Sequence, residues 1–256
     1  MNFQMKRFGM KATALLALTL GFPSLVSAAS LPGRALTLTF TTPDSYVISG
    51  KYHQPSTLQK YTFILLHGLG STKEEWQQFE QKLVNDGYGY FAYDARGHGE
   101  SARTIKGGTV RYDSFGTPGP GSPWEMMTDD LSRAIRLLTR EHHLRHEKLI
   151  LAGASLGANV CLVYAASDQV IPAVIALSPG MDYAGVRPLD SAAQLAGKHI
   201  ALVAYPGDSY AFQSCQRIFD RLQIQNHVVF IEGEKGHGVQ MFNNKLESRL
   251  LRWVRQ

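Results

Sequence analysis

The pentapeptide Gly153-Ala154-Ser155-Leu156-Gly157 follows an apolar run, Lys148 to Ala152, and opens a second apolar stretch, Leu156 to Ala166. A serine at a sharp strand-to-helix turn takes dihedrals that lift its hydroxyl clear of a sheet. Only residues without bulk fit two places before and two places after it. Gly153 and Gly157 meet that need, so Ser155 is the candidate nucleophile. A serine hydroxyl attacks poorly near neutral pH unless an imidazole accepts its proton and a carboxylate holds that imidazole in the productive tautomer. Of nine histidines, His237 alone stands in a Gly-flanked loop, Gly236-His237-Gly238, between the last strand pattern and the last helix pattern. Two carboxylates follow strand patterns at suitable places, Asp182 in Ser178-Pro-Gly-Met-Asp182 and Asp208 in Val203-Ala-Tyr-Pro-Gly-Asp208. The chemistry such a set performs is acyl transfer through a covalent intermediate.

The elements that must carry these groups are legible as an alternation of short apolar runs and longer helical periods, the pattern of crossover units in a mostly parallel sheet. Strands are expected at Ala35 to Phe40, Tyr46 to Tyr52, Tyr61 to Leu66, Tyr88 to Tyr93, Lys148 to Ala152, Ala173 to Leu177, His199 to Tyr205 and Val228 to Ile231. Helices are expected at Lys73 to Asn85, Glu125 to Glu141, Leu156 to Ala166, Phe212 to Ile224 and Val239 to Val254. The first two strands have no helix between them and predict an antiparallel hairpin at one edge. The fold class is therefore α/β, an eight-stranded sheet with helices on both faces. Arg103 to Trp124 holds five Gly and three Pro and forms a long loop, a candidate wall of the substrate site with Tyr112, Phe115 and Trp124 as its apolar lining. The stretch between Leu177 and His199 has room for one short helix around Asp190 to Ala196, too little for a large cap.

On Ser155 within G-x-S-x-G and the downstream Asp and His, the chain resembles the α/β-hydrolase fold family from about Ala35 to the C-terminus. In that family the triad runs serine, acid, histidine, an order met here by Ser155, Asp208 and His237, and the resemblance favours Asp208 over Asp182 as the orienting acid. It also implies an oxyanion hole made by the N–H of Leu156 and that of Leu69, in His67-Gly68-Leu69-Gly70. His67 is structural in this pattern. Asp94, Arg96 and His98, in Tyr93-Asp94-Ala-Arg96-Gly97-His98-Gly99, belong to a turn-stabilising network. The activity implied is that of a serine carboxylesterase on small soluble esters. Lipase, thioesterase and peptidase use the same machinery, and a non-catalytic binding protein on the same fold is the rival from another class.

The remaining features bound compartment and partners. Lys6, Arg7 and Lys11 without an acid, an apolar Ala12 to Phe22, and Val26-Ser27-Ala28 read as a secretory signal over residues 1–28, followed by a single domain over 29–256. Cleavage would remove three cations and no anion from 26 basic and 21 acidic side chains, which leaves a formal excess of two. A periplasmic or secreted protein with no stable membrane anchor is expected. No cluster of Lys or Arg with interleaved aromatics suggests nucleic acid, so the expected partner is a small-molecule ester. Cys161 and Cys215 are the only cysteines, and the apolar surroundings of Cys161 favour free thiols over a disulfide. His142 and His146 stand four apart as a two-His metal pair would, but at an expected helix C-terminus and without H-E-x-x-H, so no metal is expected. No phosphate-loop pattern is present, and no cofactor is expected.

Overall fold

The computed structural model describes residues 33–223 and 227–256. The signal segment expected over residues 1–28 lies outside the described residues. Strands β1 (Leu36–Thr41), β2 (Val47–His53), β3 (Thr62–Leu66), β4 (Gly89–Tyr93), β5 (Leu149–Ala154), β6 (Ala173–Leu177), β7 (His199–Ala204) and β8 (His227–Glu232) form one sheet in the order β1-β2-β4-β3-β5-β6-β7-β8. The β1/β2 and β2/β4 pairs are antiparallel and all others parallel, so the hairpin expected at one edge is present.

Every residue of β3, β4, β5 and β6 is buried. Parallel strands covered on both faces read as continuous apolar runs, which is why these four were visible without strict alternation. Alternation still assigns the faces. Phe63 and Leu65 pack with Phe79 and Leu83 of α1 (Gln77–Asn85) and Leu246 and Leu250 of α5 (Asn244–Trp253). Ile64 and Leu66 pack on the other face, which is covered by α2 (Met127–Arg140), α3 (Leu156–Ser167) and α4 (Ser209–Leu222). The parallel strands β3, β5, β6, β7 and β8 all end at one edge, so the segments after Leu66, Ala154, Leu177, Ala204 and Glu232 share that edge, where ligands of such sheets bind.

Several boundaries differ from those expected. The last helix is broken: a 3-10 turn, Gly238–Met241, is followed by an extended Phe242, and Asn243 then caps α5 by accepting the Leu246 N–H at 2.9 Å. Phe242 leaves helical geometry with its ring stacked on Phe79 at 4.8 Å. The α2 helix ends at Arg140, and His143 takes a left-handed φ of 55°, so His142 and His146 do not share a helix face. His142 lies against Tyr52, while His146 bonds Asp168 at 2.9 Å. Phe115 and Trp124 turn inward instead of lining a site. They meet each other at 5.0 Å, and Phe115 packs on Tyr46 and fills the space left by the missing side chain of Gly97. Cys161 and Cys215 are both buried and free.

Candidate active site

Ser155 joins β5 to α3 with φ 53° and ψ −119°, a conformation that a residue with a side chain adopts only under constraint, at a cost of about 1–3 kcal/mol. The constraint is visible in its neighbours. A Cβ on Gly153 would lie within 2.5 Å of the Gly157 and Ala158 backbone, and one on Gly157 would stand 2.4 Å from the Leu66 carbonyl oxygen. The turn is tied to β6 by the Ser155 N–H, which donates to the Leu177 carbonyl at 2.8 Å.

His237 sits between Gly236, with φ 88°, and Gly238, with φ 57°. Gly238 lies against Ala154, the residue before Ser155, where an added Cβ would meet the Ala154 Cβ at 3.1 Å. Its N–H donates to the buried Ser178 hydroxyl at 2.9 Å. The imidazole Nδ1 is 2.5 Å from Asp208 Oδ2. Asp208 is held at the N-terminus of α4 by a tight turn in which its N–H donates to the Tyr205 carbonyl. A neutral imidazole that donates from Nδ1 keeps Nε2 as its acceptor, the tautomer a general base requires. Asp182 is engaged elsewhere. Its carboxylate takes the Arg187 guanidinium at 2.7 Å and the Gly185 N–H at 2.8 Å, and the hydrogen bond from Arg187 holds its pKa below the usual carboxylate value.

The loop after β3 faces the serine, and a Cβ on Gly68 would stand 3.3 Å from the Ser155 Cβ. Four groups pin it. Glu75 accepts the Gly68 N–H at 3.0 Å, the Ser71 N–H returns to the Gly68 carbonyl, the Gly70 N–H donates to His98 Nε2 at 3.1 Å, and His67 Nε2 accepts the Ala95 N–H at 2.9 Å. Both histidines must be neutral to accept at Nε2, and their Nδ1 atoms point at the Gly68 and Arg96 carbonyls. Burial pushes His67 down to about 4, with His98 adding to the shift, and burial lowers His98 as well. Asp94 holds the next turn in place by accepting from the Lys73 N–H, the Lys73 ammonium and the Glu100 N–H. With the loop held this way, the N–H groups of Leu69 and Leu156 enter no hydrogen bond among the described residues. Beneath them lies a cavity of about 10 Å³, lined by Leu66, Leu69, Met127, Leu156 and Val160 among others.

Three side chains at this edge were not singled out from the sequence. Tyr183 brings its side chain near enough to Ser155 to interact with it, and its ring stands 6.4 Å from that of His237. Asn159, fully buried in α3, anchors the loop that carries Tyr183. Glu75 has its pKa raised by burial, with the Ser71 hydroxyl and the Gly68 N–H pulling the other way. Asn159 left a readable trace, a lone amide within the otherwise apolar run Leu156 to Ala166. The expected wall segments do meet, around a cavity of about 730 Å³ lined by Pro118, Glu125, Asp182, Arg187 and Asp190 among others. That cavity holds none of Ser155, Asp208 and His237, so it adjoins the site and does not contain it.

A family model described as serine aminopeptidase, S33, matches residues 58–223. No curated protein matches the sequence. Among solved structures, an esterase from Pyrococcus furiosus superposes with a TM-score of 0.70 at 20% identity, over 87% of this chain and 92% of that one. A dienelactone hydrolase from Anabaena variabilis gives 0.63 at 15% identity, over 88% and 98%. An alpha-beta hydrolase from Vibrio vulnificus gives 0.66 at 16% identity, over 87% and 80%. At these identities the structural likeness carries the fold, and the family match carries the membership. The chain has the α/β-hydrolase fold and belongs to the serine aminopeptidase S33 family of hydrolases.

Proposed function

We propose that this protein is an exported serine hydrolase that cleaves carboxylic esters of short acids. The observation that carries the reading is the hydrogen-bonded Asp208–His237 pair, whose loop packs through Gly238 on Ala154, next to Ser155 with its strained φ of 53°. Ser155 attacks the ester carbonyl as His237 Nε2 takes its proton. The N–H groups of Leu69 and Leu156 receive the charge that develops on the carbonyl oxygen, and His237 gives its proton to the departing alcohol. Water activated by the same imidazole then releases the acid. Donors fixed in advance cost no reorganisation at the moment of reaction, which is the use of a loop pinned by Glu75, His67 and His98.

Size selectivity follows from the space beside those donors. The connection between Leu177 and His199 carries only one 3-10 stretch, Pro188–Leu195, in place of inserted helices, and the cavity of about 10 Å³ beside the donors, whose lining includes Leu69 and Leu156 but not Ser155, adds no more than water-sized room. Each methylene of an acyl chain gains about 0.8 kcal/mol only while apolar wall remains to bury it. Across p-nitrophenyl acetate, butyrate, octanoate and palmitate, kcat/KM is expected to rise over the first few carbons and then fall, with no jump when substrate forms an emulsion. A maximum at palmitate would make the enzyme a lipase. Amides use the same groups, so an aminoacyl p-nitroanilide is the control substrate, and faster cleavage of it than of any ester would assign a peptidase.

Export rests on the basic start, the apolar run and Val26-Ser27-Ala28. The mature protein is expected to begin at or next to Ala29 on N-terminal sequencing. An intact Met1 on membrane-bound protein would refute a free periplasmic or secreted form.

A further inference from the structure

The connection between β6 and β7 is built to present one hydroxyl. Its tip, Tyr183-Ala184-Gly185-Val186, closes through two hydrogen bonds, Tyr183 N–H to the Val186 carbonyl at 3.3 Å and Val186 N–H to the Tyr183 carbonyl at 2.9 Å. Ala184 and Gly185 both have positive φ, 50° and 78°, the pair of left-handed residues found in a type I′ turn. Asn159 clamps the base of this hairpin with three bonds. It accepts the Gly180 N–H at 2.9 Å and donates to the Gly180 carbonyl at 3.0 Å and the Val186 carbonyl at 2.8 Å. Gly180 leaves the space that the Tyr183 ring fills, since a Cβ there would lie 2.6 Å from it. Tyr210 packs edge-on against the ring at 5.6 Å, and its own hydroxyl contacts the Asp182 backbone. A solvated loop tip needs none of this restraint.

The side of Ser155 on which the hydroxyl lies follows from strand order. In the sheet β3 flanks β5 on one side and β6, β7 and β8 follow on the other. Leu69, after β3, therefore offers its N–H from one side, while Tyr183, Asp208 and His237 approach from the opposite one. The carbonyl oxygen of a bound ester belongs to the Leu69 and Leu156 N–H groups. The alkoxy oxygen belongs to His237, which must deliver its proton there. The Tyr183 side chain, which interacts with that of Ser155 and whose ring stands 6.4 Å from the His237 ring, lies beside the place that alkoxy oxygen has to take.

We infer that the Tyr183 hydroxyl donates a hydrogen bond to the departing alkoxy oxygen and is a catalytic residue of acylation, an assignment that rests on the ester-hydrolase reading above. In the step, the bond from the acyl carbon to the alkoxy oxygen breaks and its electron pair stays on that oxygen. The proton carried by His237 Nε2 neutralises it, and the carbonyl re-forms on acylated Ser155. Tyr183 keeps its own proton throughout. Burial first, and then the nearby Asp208 charge, raise the phenol to about 12, so it remains a donor across the neutral range.

The test is the dependence of Tyr183→Phe on the leaving group, with the acyl group fixed as acetate. A donor helps an oxygen in proportion to the charge left on it, so a basic alkoxide needs Tyr183 far more than an acidic phenolate does. The variant is expected to lose about 3-fold in kcat/KM on p-nitrophenyl acetate and about 100-fold on ethyl acetate, the scale of one preorganised donor, with phenyl and trifluoroethyl acetates ordered between them. An equal loss on all four esters, or no loss on any, would overturn the assignment. Labelling by a fluorophosphonate separates the two levels of failure. If the wild-type protein is not labelled at Ser155, the hydrolase reading and this assignment fall together. If wild type and variant are both labelled and the losses are flat, the Tyr183 assignment falls alone.

Discussion

Ser155→Ala is expected to lower kcat on p-nitrophenyl acetate by about six orders of magnitude while leaving the protein folded, because members of a triad act as a unit and the residual rate comes from binding and the oxyanion donors. The fold should tolerate the change. Alanine at φ 53° bears the same backbone constraint as serine, and the elbow is held by the Ser155 N–H bond to Leu177, which the substitution keeps. The substitution does remove the interaction of the hydroxyl with the Tyr183 side chain. Turnover, thermal melting and fluorophosphonate labelling together check the expectation. A melting temperature close to wild type with turnover and labelling abolished is the predicted pattern, and retained turnover would exclude Ser155 as the nucleophile.

The second large effect separates two carboxylates that are only 26 residues apart in number. Asp208→Asn should reduce kcat by about 10⁴, since an amide in place of the carboxylate can offer its NH₂ to Nδ1 and stabilise the tautomer whose Nε2 is already protonated and cannot accept from serine. Asp182→Asn should cost less than about 10-fold, because it disturbs only a contact to Arg187 and the Gly185 N–H at the edge of the Tyr183 hairpin. Parallel kcat measurements on the two variants decide the matter, and the reverse ranking would transfer the orienting role to Asp182.

What the chain disclosed before folding was whatever local geometry enforces. Gly153 and Gly157 mark the elbow because a side chain at either place would collide with backbone, and that demand is written in adjacent residues. The buried strands were equally plain, since β3 to β6 have no polar face to interrupt the apolar run. The choice between Asp182 and Asp208 was not local. Both follow a strand, and only through-space neighbours distinguish them, Arg187 for one and His237 for the other. Tyr183 was hidden for the same reason, because its place beside Ser155 depends on a clamp from Asn159 on a different element. Phe115 and Trp124 misled in the opposite direction. Their Gly- and Pro-rich setting reads as surface, but nothing in that composition tells which way the rings turn, and they turn into the core. The break at Phe242 was missed because its ring keeps the apolar period of the helix while its backbone departs from it.

Asn159 grips the β6–β7 connection solely by main-chain atoms, the N–H and carbonyl of Gly180 and the carbonyl of Val186. A clamp of that kind does not read the side chains between its two jaws. Residues there other than Tyr183 can be exchanged for larger, smaller or charged ones while the loop keeps its path, provided the left-handed turn positions are respected. Divergence of substrate preference in this lineage therefore has a route that leaves the sheet, the elbow and the loop after β3 untouched. An engineer who wants to reshape the surroundings of Ser155 has the same route available.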